Sequence, residues 1–287
     1  MSVGVVTDST AYLPRELVAD LGITQVSLYY GFDRAGDREV DLTDHAAFYA
    51  ELEGVDAPAL TAPPSVDDFA ATYESLLADG SSVVSIHISS ALSDACMNAR
   101  EAATRLAAEG RGGERVAVVD SAGTGGSLGL VTLAAQAVAR RGEDHEAVLR
   151  RANEARQETQ MRFLVDSLEY LRRGGRIGTA ASWLGSALDI KPILSVQSEI
   201  KAVERVRTRE RAIERLVEWG RRQVAAGSDA WCVQHATAPD GARELVDRLR
   251  EVFWRPPEFV GEIGPVVGTH TGPGVLVLGT MPSRFLD

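Results

Sequence analysis

Val83-Val84-Ser85-Ile86-His87-Ile88 runs into Ser89-Ser90-Ala91-Leu92-Ser93, and this passage decides the fold. A short, nearly continuous apolar run bounded by a polar turn reads as a strand buried on both faces. A helical stretch, Ser93 to Ala108, follows it. Working outward, Val3-Gly4-Val5-Val6 runs into Thr7-Asp8-Ser9-Thr10, and Val116-Ala117-Val118-Val119 runs into Asp120-Ser121 and Gly123-Thr124-Gly125-Gly126-Ser127. Helices are expected after these turns too, over Pro14 to Leu21 and Ser127 to Arg141. Repeated β–α units imply a parallel sheet with helices on its faces. The three strands end in uncharged hydroxyl residues, without Lys or Arg. Ligands of such sheets sit at the carboxyl ends of the strands. Hydroxyls and helix N-terminal amides there hold an anion without a full positive charge. The pattern favours a carboxylate over a triphosphate.

The rest of the first half adds a strand over Ile23 to Tyr30, a polar loop over Asp33 to Asp44 and a helix over His45 to Glu53. The turn Thr61-Ala62-Pro63-Pro64-Ser65 starts a helix over Val66 to Leu77, with Ser65 and Asp68 spaced as a capping box. The second half has a different rhythm. A charged helix over Asp144 to Thr159 precedes a short strand, Met161 to Val165, and a helix, Ser167 to Arg173, stopped by Gly174-Gly175. Ala180 to Leu188 is apolar and rich in small residues. Lys191 to Val196 and Ile200 to Val206 read as a strand pair around a polar turn. Helix Thr208 to Ala226, strand Ala230 to His235, helix Pro239 to Phe253 and two last strands, Val260 to Ile263 and Gly274 to Gly279, complete an α/β layer. Two domains are expected, an N-terminal parallel α/β/α domain over 1–158 and a C-terminal mixed-sheet α/β domain over 159–287.

A chain of 287 residues with 45% hydrophobic and 25% charged residues is ordinary globular protein. Its net charge of −11 argues against general nucleic-acid binding and against stable docking on an anionic membrane. The opening Met1-Ser2-Val3-Gly4-Val5-Val6-Thr7-Asp8 reads as a first strand rather than a signal peptide. No run of about 18 apolar residues suggests a membrane span. Cys96 and Cys232 match no metal spacing and are expected as free thiols of a cytoplasmic protein.

Several constellations carry possible chemistry. The glycine-rich stretch after Asp120 lacks the Gly-Lys-Ser/Thr ending of a phosphate loop and the dinucleotide spacing, so it reads as a strand-to-helix turn with Ser127 near the cap. Ser93 is either an ordinary N-cap or a donor facing a crevice. Thr61 is either a turn threonine or a polar group stiffened by the Pro-Pro that follows. His270, in Gly268-Thr269-His270-Thr271-Gly272-Pro273-Gly274, reads as a loop histidine able to donate to an anion. Arg172, Arg173 and Arg176 bracket Gly174-Gly175 and form a positive spot suited to an acidic partner or a phosphate. A serine hydrolase acting on acyl esters through Ser93 and His270 is the alternative from another class. Against it, Ser93 stands in no G-x-S-x-G elbow.

Taken in order, V-x-x-D-S-T, T-A-P-P-S, S-S-A-L-S, V-V-D-S, L-R-R-G-G-R-I-G and G-T-H-T-G-P-G resemble the DegV family over essentially the whole chain. This family includes the acyl-binding subunit of bacterial fatty acid kinase. The resemblance implies one long-chain fatty acid in a buried tunnel between two domains, with Thr61, Ser93 and His270 around its carboxyl group and no further cofactor. It also implies a carrier for phospholipid synthesis. The carrier would present the carboxyl to a separate ATP-dependent kinase subunit, with Arg172, Arg173 and Arg176 in the segment that meets that partner. Two departures stand out. Ala62 and Pro63 replace the polar pair of the usual T-S-Q-P-S, and Asp94, Ala95 and Cys96 follow Ser93 where L-S-G-T-Y is usual. Asp94 is expected to point outward into the positive field of the helix N-terminus. Trp183, Leu184, Leu188, Ile190 and Ile193 read as tunnel lining or plain core.

Overall fold

The computed structural model describes residues 2–55, 59–184 and 190–287. The first half runs β1 (Val3–Asp8), α1 (Arg15–Leu21), β2 (Thr24–Val26), β3 (Tyr29–Gly31), β4 (Asp37–Arg38), α2 (His45–Gly54), β5 (Leu60–Ala62), α3 (Val66–Ala78), β6 (Ser82–His87), α4 (Ala95–Ala108), β7 (Val116–Asp120), α5 (Gly125–Arg140) and α6 (His145–Glu158). The second half runs β8 (Gln160–Leu164), α7 (Glu169–Arg173), β9 (Lys191–Gln197), β10 (Glu199–Val206), α8 (Arg209–Ala225), β11 (Ala230–His235), α9 (Pro239–Phe253), β12 (Phe259–Glu262), α10 (Pro265–Thr271) and β13 (Leu276–Met281).

Four strands form a wholly parallel sheet in the order β2-β1-β6-β7. Every residue of its central strand β6 is buried, as an apolar run covered by helices on both faces requires. α3 covers one face through Phe69, Ala70, Tyr73 and Leu77, which lie about one helical turn apart. Its start is fixed by the capping box: Ser65 Oγ accepts from the Asp68 amide at 3.1 Å, and Asp68 accepts from the Ser65 amide at 2.8 Å.

The second sheet is mixed, in the order β10-β9-β8-β13-β11-β12. β11 and β12 run parallel, and the other pairs are antiparallel. The last two strands of the chain are therefore separated by β11. The chain is α/β, with one parallel sheet, one mixed sheet and a small third sheet in the order β4-β3-β5.

α5 packs between the two sheets and is buried almost all round. Its Gly129 makes this possible: a Cβ there would stand 2.7 Å from the Phe259 ring, so only glycine allows the approach. One hydrophobic cluster accordingly joins Val5, Ile86 and Leu128 of the first half to Cys232, Phe259 and Met281 of the second. The chain passes from α6 to β8 between Glu158 and Gln160.

Three expectations need correction. The strand expected over Ile23 to Tyr30 is two strands in different sheets. β2 ends the parallel sheet, whereas β3 pairs antiparallel with β4 and β5. Between them, hydroxyls take the backbone groups that a continuing ladder would use. Leu28 N donates to Ser9 Oγ at 3.1 Å, and Ser27 Oγ donates to Leu28 O at 2.7 Å. The expected loop over Asp33 to Asp44 contains β4. His270 stands on a helix, α10, rather than in a loop.

Candidate functional site

A cavity lies at the carboxyl ends of the parallel strands. Tyr12, Leu28, Ile88 and Leu92 form its wall from the first half. Met161, Phe163, Val196, Ile200 and Val277 of the mixed sheet face them, and Val266 and Val267 of α10 close one side. Among the candidate lining residues, Ile193 is buried under α8 in a separate core cluster, Leu184 is 41% exposed and Leu188 lies outside the described residues.

Polar side chains gather at the mouth. β3–β5 pairing places Thr61 opposite Tyr30, and Thr61 Oγ1 lies 3.1 Å from His270 Nε2. Ser93 and Arg176 line the same opening. Ser93 Oγ accepts from the Ala95 amide at 3.3 Å, which leaves its O–H proton available to a ligand. Asp94 fills the N-cap position of α4 without a capping side-chain bond and lies exposed at the rim. Arg176 donates to Gly174 O at 2.7 Å and reaches Leu92 O at 3.5 Å, spanning the opening. An arginine thus reaches a site whose strand ends carry none, because a distant turn delivers it.

Burial pushes the His270 imidazole down to about 4, and the Arg176 charge pushes the same way. The ring is therefore neutral at pH 7, with one donor and one acceptor nitrogen. Nε2 faces Thr61, and the buried Nδ1 has no hydrogen-bond partner. A Cβ on Gly174 would stand 2.0 Å from Nδ1, so the glycine stop of α7 lets that backbone lie against the ring. Two hydroxyls, a neutral imidazole and a guanidinium together suit one carboxylate. Among the described residues, no three His, Cys, Asp or Glu side chains gather as a metal would need.

A buried carboxylate anchors α10 from below. Glu39 accepts from Ser9 Oγ at 2.5 Å, Tyr12 OH at 2.9 Å and the Val266 amide at 2.7 Å. Tyr12 OH also accepts from the Val267 amide at 3.0 Å. Tyr49 of α2 donates to Ile263 O at 2.9 Å. Burial raises the Glu39 carboxyl to about 7, against the lowering effect of its hydrogen bonds. Sequence reading missed this network, since Glu39 lies in an apparently featureless polar loop. Gly264-Pro265 was the available signal for the helix, because proline favours a first helical position.

The sequence matches the family described as "Uncharacterised protein, DegV family" over residues 2–283. The chain belongs to the DegV family. A DegV domain-containing protein of Streptomyces coelicolor is 37% identical over 285 residues, covering 96% of each chain. Among solved DegV structures, a protein from Thermus thermophilus described by its fatty acid binding superposes with a TM-score of 0.86. It is 31% identical, and the match covers 98% of this chain and 100% of that one. DegV of Bacillus subtilis, described as a fatty acid binding protein, gives a TM-score of 0.85 at 30% identity, over 98% and 99% of the two chains.

Within this DegV chain most strand-end hydroxyls are occupied structurally. Thr10 Oγ1 donates to Asp8, Ser90 Oγ to Asp120, and Ser89 Oγ to Ser198 O at the tip of the β9–β10 hairpin. Ser127 Oγ donates to Thr124 O. They secure turns and join the two halves; Ser93 and Thr124 alone among them line the cavity. Arg172 and Arg173 point elsewhere than Arg176. Both are exposed and pair with Glu169 at 2.6 and 2.7 Å, and these bonds hold its carboxyl down at about 2.

A serine–histidine–aspartate relay does occur, away from the cavity. Tyr73 OH donates to Ser85 Oγ at 2.9 Å, Ser85 Oγ lies 2.6 Å from His87 Nε2, and His87 Nδ1 lies 3.0 Å from Asp8 Oδ2. Ser85, His87 and Asp8 are fully buried, so no substrate reaches this hydroxyl. Both cysteines are free and buried, and burial pushes the Cys96 thiol up to about 12.

Proposed function

We propose that this DegV-family protein binds one long-chain fatty acid in the cavity between its two sheets. The carboxyl group sits at the mouth among Thr61, Ser93, His270 and Arg176, and the acyl chain runs inward past Phe163, Val196 and Val277. The observation that carries this reading is the division of the cavity into an apolar body and a polar mouth. Burying each methylene contributes roughly 0.8 kcal/mol, so an acyl chain supplies most of the affinity. The described binding of fatty acids by the Thermus thermophilus and Bacillus subtilis relatives supports the same ligand.

The protein is a cytoplasmic carrier that presents the carboxyl to a separate ATP-dependent kinase, with Arg172 and Arg173 on the docking face beside the mouth. In support, α7 carries both arginines on an exposed surface next to the turn that delivers Arg176. Among the described residues no helix is long and apolar enough to cross a membrane. No observation favours the hydrolase. His270 Nε2 faces Thr61, its Nδ1 lacks the orienting carboxylate a nucleophile's base requires, and the Ser85–His87–Asp8 relay is sealed. Native mass spectrometry of freshly purified protein tests the function. A co-purifying fatty acid is expected; an empty protein that does not take up palmitate would reject it.

A further inference from the structure

The cavity body carries one polar feature that a plain acyl chain leaves unused. Gln234 of β11 is fully buried and lines the cavity. Its side-chain Nε2 donates to Ala11 O at 2.9 Å and to Tyr12 O at 3.3 Å. Two carbonyls thereby consume both amide protons and fix which end of the amide is which, since only the nitrogen can donate. Oε1 is left without a hydrogen-bond partner. It stands 2.8 Å from where a Cβ on Gly125, another wall residue, would lie. Thr124, at the N-cap of α5, brings a hydroxyl to the same wall. An acceptor so deeply buried and unpaired is costly to a fold. Gly125, Met161 and Val277 around it supply no side-chain donor.

We propose that Gln234 Oε1 and Thr124 form a subsite for a hydroxyl partway along the ligand's chain, so that the cavity accepts a mid-chain hydroxy fatty acid as well as an unmodified one. This rests on the cavity being the fatty acid site. The ligand hydroxyl donates to Oε1 and accepts from Thr124 Oγ1. A keto group at the same carbon has no proton to donate and meets Oε1 acceptor to acceptor. The ligand's own chemistry therefore tests the subsite without disturbing the Gln234 amide, whose replacement would strip donors from Ala11 and Tyr12.

Delipidated wild-type protein is titrated with stearate, a positional series of hydroxystearates carrying the hydroxyl between about carbons 7 and 13, and the matching oxostearates. A hydroxyl buried without a partner weakens binding about tenfold or more. The subsite predicts that at least one hydroxystearate binds as tightly as stearate, within about threefold, while its oxo counterpart falls about tenfold or more behind. In Thr124→Val the affinity of that hydroxystearate relative to stearate should fall. Stearate binding with every hydroxystearate at least about tenfold weaker would overturn the subsite and leave the fatty acid site standing. Equal binding of hydroxy and oxo isomers at every position would also overturn it. Failure of stearate itself to bind would remove the parent reading and the subsite together.

Discussion

Two buried groups that bear on α10 titrate in opposite senses. The Glu39 carboxyl is raised from 4.5 to about 7 by burial, with Asp8 adding to the rise. Between those values the native state holds more protons than the unfolded chain. Its contribution is complete below pH 4.5 and is lost as pH rises through 7. The His270 imidazole is lowered from 6.5 to about 4 by burial and by Arg176. Its neutral form contributes fully above pH 6.5, and that contribution is lost as pH falls through 4. The two slopes overlap between 4.5 and 6.5 and oppose each other. Glu39→Gln should unmask the His270 slope: stability of the ligand-free variant should rise across this window more steeply than in wild type, by up to about 1.4 kcal/mol per pH unit. Urea unfolding at a series of pH values measures it. Parallel profiles for variant and wild type would remove Glu39 from the account. A bound carboxylate should draw the imidazole pKa upward, because an opposite charge favours the protonated ring.

The elements that hold the mouth are short, and each depends on a contact from another part of the chain. Gly174 presses on His270, so Gly174→Ala puts a methyl where the ring stands. This overpacking should cost about 1–3 kcal/mol and reduce fatty acid retention by displacing the imidazole, as isothermal titration with palmitate would show. Retention equal to wild type would mean that the ring is not a ligand contact. On α7, Arg172→Ala with Arg173→Ala should leave palmitate affinity unchanged, because both side chains pair with Glu169 in solvent. Acyl-phosphate formation with the kinase present should slow; loss of palmitate binding instead would place these arginines in the wrong role. The β–α repeats around β1, β6 and β7 were legible because strands buried on both faces leave apolar runs in sequence. The break between β2 and β3 was not, since Ser9 and Ser27 act there through hydrogen bonds that no local pattern encodes. His270 carried a visible motif, while its helix was hidden by flanking glycines and anchored by Glu39, which is 231 positions away from it in a chain of 287 residues. Gln234 belongs to no motif at all.

At the scale of the molecule, α5 ties the two sheets into one body. Leu128, Leu130, Val131 and Leu133 are all buried, and a cut after residue 158 would expose the face of α5 that meets Cys232, Phe259 and Met281. We therefore expect 1–158 and 159–287 to be two structural units with one cooperative transition. Thermal unfolding followed by tryptophan fluorescence reports the second half, where all four tryptophans lie, and circular dichroism reports both. The two probes should give coincident midpoints; well-separated midpoints would show independent folding of the halves. The same shared core places the cavity between the two units, with wall residues drawn from both, Ile88 and Leu92 from one and Phe163 and Val277 from the other.

The central claim is that a fatty acid lies in this cavity with its carboxylate among Thr61, Ser93, His270 and Arg176. Carbon-13 NMR of palmitate labelled at the carboxyl carbon, bound to delipidated protein, tests it most directly. The account predicts one bound carboxyl resonance, distinct from free palmitate. In a Thr61→Ala, Ser93→Ala variant whose amide spectrum remains folded, that resonance should shift and affinity should drop by about tenfold or more, as two donors to a charged acceptor are lost. A bound resonance at the same position and with the same affinity in wild type and variant would contradict it.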